Sequence, residues 1–404
     1  MNAALIRETA SWTFWRVILT ASLVAACATI ASAQYCTPDQ CDECDLNSCQ
    51  LSCCHEAPEL WVVNTRCAPK CNNLDAGFEQ ISFRRWDPTC RRFVKESCES
   101  FIAQEASMPT LIFSHGNTLK SDRAMDQCWN VYARMRCCPG KKRLVFWSWP
   151  SEMYFKRPLL RPRLLIEKNL RIKFVFAEYQ GYYMAKLVQR MSMTQRVTVG
   201  GHSYGAISAS VAAHFLGGGE LRGLTLAGAT AVERPNFRVA NVSGAFDNDA
   251  LDLGCRYGQA FVAAEKVYNT RNCTDKTLKN WPKVSLRGRK AIGVTGINAN
   301  NIGPYSSKLC QHTMTSEVGK SHYIDPHLRS RKFMAALCCF AFPACADCAN
   351  AEIASKNDAI KADVAPESRM EADFKSALNK AIYSKSNRET ESLRAIELKL
   401  DPAA

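Results

Sequence analysis

The chain has 404 residues, 47% of them hydrophobic, enough for one large core or two modest ones. Its 52 Lys and Arg against 38 Asp and Glu give a formal net charge of +14, which favours polyanionic neighbours and says nothing of the fold. No recognised nucleic-acid-binding motif accompanies that charge, so nucleic acid is not an expected partner.

The N-terminus has the pattern of an export signal. Arg7 and Arg16 precede an apolar run from Val17 to Ile30, and Ala31-Ser32-Ala33 follows as an A-x-A cleavage pattern. Residues 1–33 are therefore expected to be removed, leaving a secreted, periplasmic or cell-envelope protein. Val24-Ala25-Ala26-Cys27 offers a minor alternative, a lipidated Cys27. No later segment qualifies as a transmembrane helix.

Residues 34–105 hold ten cysteines: Cys36, Cys41, Cys44, Cys49, Cys53, Cys54, Cys67, Cys71, Cys90 and Cys98. Of the 21 cysteines in the chain, 20 follow the signal, an even number suited to disulfides in an oxidising compartment. Few apolar runs lie in this stretch, so a small disulfide-rich module is expected. Zinc binding at Cys41-Asp-Glu-Cys44 is the alternative. It is disfavoured because no second pair follows at zinc-ribbon spacing and only His55 is nearby.

From residue 106 the pattern changes to β-runs alternating with helical stretches. Strands are expected at 109–113, 143–147, 196–199, 221–226, 264–268 and 291–295. Helices are expected at 122–135, 164–191, 204–215 and 326–340. Such alternation predicts an α/β fold, a mainly parallel sheet with helices on both faces, over residues 106–342. Sites in such sheets lie at the carboxyl ends of the strands. Residues 343–404, rich in Ala, Lys, Glu, Asp and Ser, read as a charged helical or disordered tail.

Gly201-His202-Ser203-Tyr204-Gly205 fits G-x-S-x-G, with a strand before it and a helix after it. A nucleophile on so sharp a turn needs small residues two before and two after it, here Gly201 and Gly205. Without that chemistry, Ser203 would only cap a helix. An oxyanion hole would use the backbone N–H of Tyr204 and one from the loop Ser114-His115-Gly116-Asn117, where Asn117 is the expected donor. His115 is expected to brace that loop, and His202 to point away from Ser203.

A general base should follow the acid, after the last strand. His312, His322 and His327 qualify. His322, just before the last helix, is preferred and His312 comes second, on loop position alone. Asp275 is the expected acid, after the strand ending near Tyr268. Asp247, Asp249 and Asp252 are read as turn or cap residues.

The segments Leu-Ile-Phe-Ser-His-Gly-Asn (111–117), Phe-Trp-Ser-Trp-Pro-Ser (146–151), Gly-His-Ser-Tyr-Gly (201–205) and Tyr-Asn-Thr-Arg (268–271) followed by Asp-Lys-Thr-Leu-Lys (275–279) resemble the α/β-hydrolase superfamily. Within it they resemble a bacterial branch of uncharacterised serine esterase or lipase-like proteins. The resemblance covers about residues 109–340. It implies a Ser203–His322–Asp275 triad, hydrolysis of a carboxylic ester, and no metal or organic cofactor. The cysteine-rich stretch, Cys273 and the long 296–322 loop depart from that pattern.

A small-molecule or lipid ester is the expected substrate. The basic and apolar stretch from Met153 to Phe176 reads as an amphipathic helix on the sheet, with an interfacial face on an anionic membrane as the second reading. A non-catalytic secreted binding or envelope protein on the same scaffold is the competing class. Asn241-Val-Ser and Asn272-Cys-Thr are N-glycosylation sequons.

Overall fold

Among the described residues one nine-stranded mixed sheet is formed, in the spatial order 92–96, 82–87, 59–64, 143–148, 110–114, 197–202, 237–242, 266–271 and 309–313. The computed structural model describes residues 57–70, 73–136, 138–153 and 162–342. The export signal, the tail and seven of the ten N-terminal cysteines lie outside them. Two compact units are formed, residues 1–152 with 174–353 and residues 153–173 with 354–404. In the second, the described residues are 153 and 162–173.

Strand β1 (Glu59–Asn64) pairs in parallel with β5 (Arg143–Ser148), Glu59 opposite Arg143. The hairpin of β2 (Ser82–Asp87) and β3 (Arg92–Glu96) extends the sheet antiparallel at that edge. The other strands run parallel: β4 (Thr110–Ser114), β6 (Val197–His202), β7 (Phe237–Val242), β8 (Lys266–Arg271) and β9 (Leu309–Thr313). Between them come α1 (Ser121–Met135), α2 (Pro162–Arg190) and α3 (Tyr204–Leu216). Then α4 (Ile324–Arg329) and α5 (Arg331–Ala341) end the described chain. Strands β4, β5, β6 and β7 are buried at every residue. That is the burial of parallel strands covered on both faces, and it explains their Val, Leu, Ile and Phe content.

The separate cysteine-rich module does not hold for the described part of residues 34–105. Leu60, Trp61, Val62 and Val63 form a buried apolar strand of the common sheet. Arg143 and Glu59 lock its seam to β5 with an ion pair at 3.1 Å. Trp86 and Phe93 of the edge hairpin pack on Trp129 of α1, at centroid distances of 4.8 and 5.8 Å. Cysteine density hides a short apolar run that finds its core in sequence-distant residues. Cys67, Cys90 and Cys98 form no disulfide with one another or with any other described cysteine.

Two expected strands are also corrected. Residues 221–226 make a tight turn closed by a Leu221–Leu224 bridge, because Arg222 and Gly223 take positive φ. The strand lies instead at β7. Residues 292–295 form a short helix stopped by Gly296 at φ 81°, and the last strand is β9.

Cys138 and Cys338 pair as a disulfide across 200 residues, joining the end of α1 to α5. Closing so long a loop restricts the unfolded chain. Replacing both with Ala is expected to cost about 2–5 kcal/mol. Denaturant midpoints with and without reductant check this, and an unmoved midpoint would refute it.

Candidate active site

Ser203 sits where β6 turns into α3, at φ 57° and ψ −114°. A non-glycine residue rarely holds such a backbone, and the surroundings must over-determine it. They do so here. A Cβ on Gly201 would lie 2.3 Å from the carbonyl carbon of Gly205, and one on Gly205 would lie 2.1 Å from the Ser114 oxygen. The Ser203 N–H donates to Val242 O at the end of β7, and Ser203 O accepts from Ala245 N. The serine side chain makes no helix-capping bond.

The side chain meets an imidazole instead. Ser203 Oγ lies 2.9 Å from His322 Nε2, and His322 Nδ1 lies 2.7 Å from Asp275 Oδ2. Asp275 is fully buried, and its Oδ1 accepts the Leu278 N–H at 2.8 Å. A carboxylate only accepts, so Nδ1 carries the hydrogen and Nε2 is left to accept from the serine hydroxyl. These residues reach one point from the exits of β6, β8 and β9. The loop leaving β4 comes to the same point: a Cβ on Gly116 would be 3.4 Å from Ser203 Cβ.

A strained serine between close-packed glycines, and loops converging from the carboxyl ends of β4, β6, β8 and β9, decide the architecture. The fold is α/β-hydrolase-like.

Within this fold His115 braces its loop as expected. The Trp149 N–H donates to His115 Nε2 at 3.1 Å, His115 Nδ1 donates to Gly116 O at 2.8 Å, and the Trp149 indole donates to His115 O. Burial pushes the His115 pKa down to about 3, so the ring is neutral at neutral pH. Tyr204 follows the serine as the first residue of α3, and Asn117 follows Gly116 in the loop that approaches it. Asn117 Oδ1 is buried without a hydrogen-bond partner among the described residues.

The remaining expected residues lie apart from this point or act differently. His312 is on β9, its Nδ1 3.3 Å from the Tyr268 hydroxyl. Asp247 accepts from the Trp281 indole, and Asp249 pairs with Arg287 and Arg289. The His202 ring turns to His322, with Nε2 2.7 Å from the His322 carbonyl. Sequence reasoning missed that contact and the part played by Asn272. Asn272 is fully buried, and its amide donates to Gly319 O at 2.7 Å, three residues before His322. Its sequon pattern carries no sign of this role, which only the packing after β8 and β9 reveals. Asn241, the other sequon residue, is fully buried too.

Among the described residues no three His, Cys, Asp or Glu side chains are grouped to hold a metal ion. Among them, too, no helix is long and apolar enough to cross a membrane.

No family model and no curated protein matches the chain. Among solved structures it is similar to an inhibited esterase B from Lactobacillus rhamnosis, at 12% identity over 79% of this chain and 94% of that one, TM-score 0.32. It is also similar to Zea mays acyl-protein thioesterase 2, at 13% identity over 58% of this chain and 93% of that one, TM-score 0.32.

Proposed function

We propose that this protein is a serine hydrolase that cleaves a carboxylic ester by way of an acyl-enzyme. The observation that carries the reading is the hydrogen-bonded chain from Ser203 Oγ through His322 to Asp275, at 2.9 and 2.7 Å. His322 Nε2 takes the serine proton as Oγ attacks the carbonyl carbon. Asp275 holds the ring in the required tautomer and stabilises the imidazolium. The N–H groups of Tyr204 and Asn117 receive the oxyanion, whose charge exists only in the transition state and intermediate. His322 then protonates the departing alcohol and activates water for deacylation.

A fluorophosphonate probe tests the reading directly. The native protein is expected to label and Ser203→Ala is not. Absent labelling, or equal labelling of both, would return the chain to the non-catalytic binding class.

The substrate side of this proposal is an ester presented at an anionic surface. The segment after Asp275 packs Trp281 against Tyr204, at 6.1 Å between ring centroids. From there it exposes Lys276, Lys279, Lys283 and Lys290, with Lys320 on the neighbouring loop. Leu286 stands 82% exposed among them. Cations for headgroups around one apolar side chain suit a lipid interface. The Met153–Phe176 stretch falls partly outside the described residues. Sedimentation with phosphatidylcholine vesicles is expected to need added phosphatidylglycerol. Changing Lys279, Lys283 and Lys290 to Gln should weaken binding by about 1 kcal/mol each. Binding indifferent to lipid charge would defeat this part.

A further inference from the structure

The loop carrying His322 presents five consecutive backbone carbonyls to donors. Gly319 O accepts from Asn272 Nδ2 and from Thr274 Oγ1, both at 2.7 Å. Lys320 O accepts from the Lys276 N–H at 3.2 Å, and Ser321 O is 3.5 Å from Asn272 Nδ2. These donors all come from the segment that supplies Asp275. The last two carbonyls meet histidines: His322 O lies 2.7 Å from His202 Nε2, and Tyr323 O lies 3.0 Å from His327 Nδ1.

A carbonyl oxygen only accepts, so His202 carries its hydrogen on Nε2 and His327 on Nδ1. His327 Nε2 is then an acceptor, and Ser243 Oγ, 3.0 Å away beyond β7, donates to it. Both rings are buried. Burial holds the His202 pKa well below its ordinary value and lowers that of His327 to about 4. Each ring is therefore neutral at neutral pH, with one N–H, and that N–H is spent on the backbone of the base loop.

Residues 202 and 203 thus grip His322 at both ends. Ser203 Oγ meets the ring, and His202 meets the carbonyl of the same residue. Any drift of the loop that lengthened one contact would strain the other through the rigid turn of the elbow. We propose that His202 is a positioning residue, setting the reach of His322 to Ser203 through the His322 carbonyl, and that His327 secures the next peptide in the same way. The inference rests on the Ser203–His322 reading above. It adds a role for the residue before the nucleophile.

Substitution at His202 tests it, on native-length protein with a soluble short-chain ester and the fluorophosphonate probe. His202→Leu removes the donor and keeps an apolar fit. It is expected to lower kcat about 10–100-fold with KM within about two-fold, since a misplacement near 1 Å costs on that scale. Probe labelling should slow in parallel. His202→Gln, whose Nε2 falls near the imidazole Nε2, should recover most of the rate. His202→Asn, whose amide is too short, should not. The Gln and Asn pair decides the matter if the Leu variant does not fold. Equal kcat for Gln and Asn, unchanged kcat for Leu, or a loss confined to KM overturns the positioning role while native labelling leaves the nucleophile standing. A native protein that does not label removes both.

Discussion

Asp275→Asn is expected to lower kcat about 10⁴-fold while leaving the fold and substrate binding intact. The reason lies in the second oxygen. Asp275 Oδ1 accepts the Leu278 N–H at 2.8 Å, and Oδ2 faces His322 Nδ1 at 2.7 Å. An Asn must keep its oxygen on the Leu278 N–H, because turning the amide would set two donors against each other. Its NH₂ then faces Nδ1 and forces that nitrogen to accept. The hydrogen moves to Nε2, where it meets the Ser203 hydroxyl and cannot receive its proton. Ser203→Ala should cost more, about 10⁵–10⁶-fold, and the double variant no more than Ser203→Ala alone, because the residues act as one unit. Steady-state kinetics on a soluble ester decide this. Additive losses, or an Asp275→Asn variant within about ten-fold of native, would remove Asp275 from the proposed triad.

Gly205→Ala carries the largest expected cost in stability. The added Cβ would stand 2.1 Å from the Ser114 oxygen and 2.8 Å from the His115 oxygen, both backbone atoms with nowhere to swing. Strand β4 and the head of α3 must separate. Overpacking against backbone is expected to cost about 3 kcal/mol or more, on the order of 3–5 °C in the melting temperature for a chain of this size. Activity should fall too, since the displaced strand leads into the Gly116–Asn117 loop. Gly223→Ala is the control. It has positive φ but nothing within 4 Å of the added Cβ, so its cost is backbone strain alone, about 1 kcal/mol. Equal melting temperatures for the two variants would show that the close packing at the elbow is not what holds it.

The elbow was legible in sequence because its constraints are local: a β-run, two glycines at fixed offsets and a helix, within about twelve residues. The other site residues come together only by long-range packing, and there more than one histidine fits the pattern. His312 and His322 both follow the expected strand at 291–295. They separate only because the last strand is β9, a run of Leu-Cys-Gln-His-Thr that no hydrophobic pattern would select. Its polar residues are satisfied from afar, Gln311 by Asn269 and by the backbone of Ile297, His312 by Tyr268. Strand β7 was hidden in a similar way. Arg238 interrupts its apolar run, yet pairs with Glu265 at 2.9 Å. The parallel-sheet class survived these misses because it rests on the alternation of elements rather than on each strand.

The parallel seam between β1 and β5 bears on how short a folded version of this protein can be made. Removal of everything before residue 106, the boundary that composition suggests, would strip the β1 partner from all six residues of β5 and leave it paired only with β4. A raw sheet edge would be left beside Arg143, whose guanidinium would lose the Glu59 carboxylate. The damage would not stay at the edge. Strand β5 leads to Trp149, and Trp149 clamps His115 in the loop beside the serine. A minimal fragment that keeps the candidate site must therefore begin upstream of Glu59, and the first strands of the sheet are a foundation of that site rather than an accessory to be trimmed.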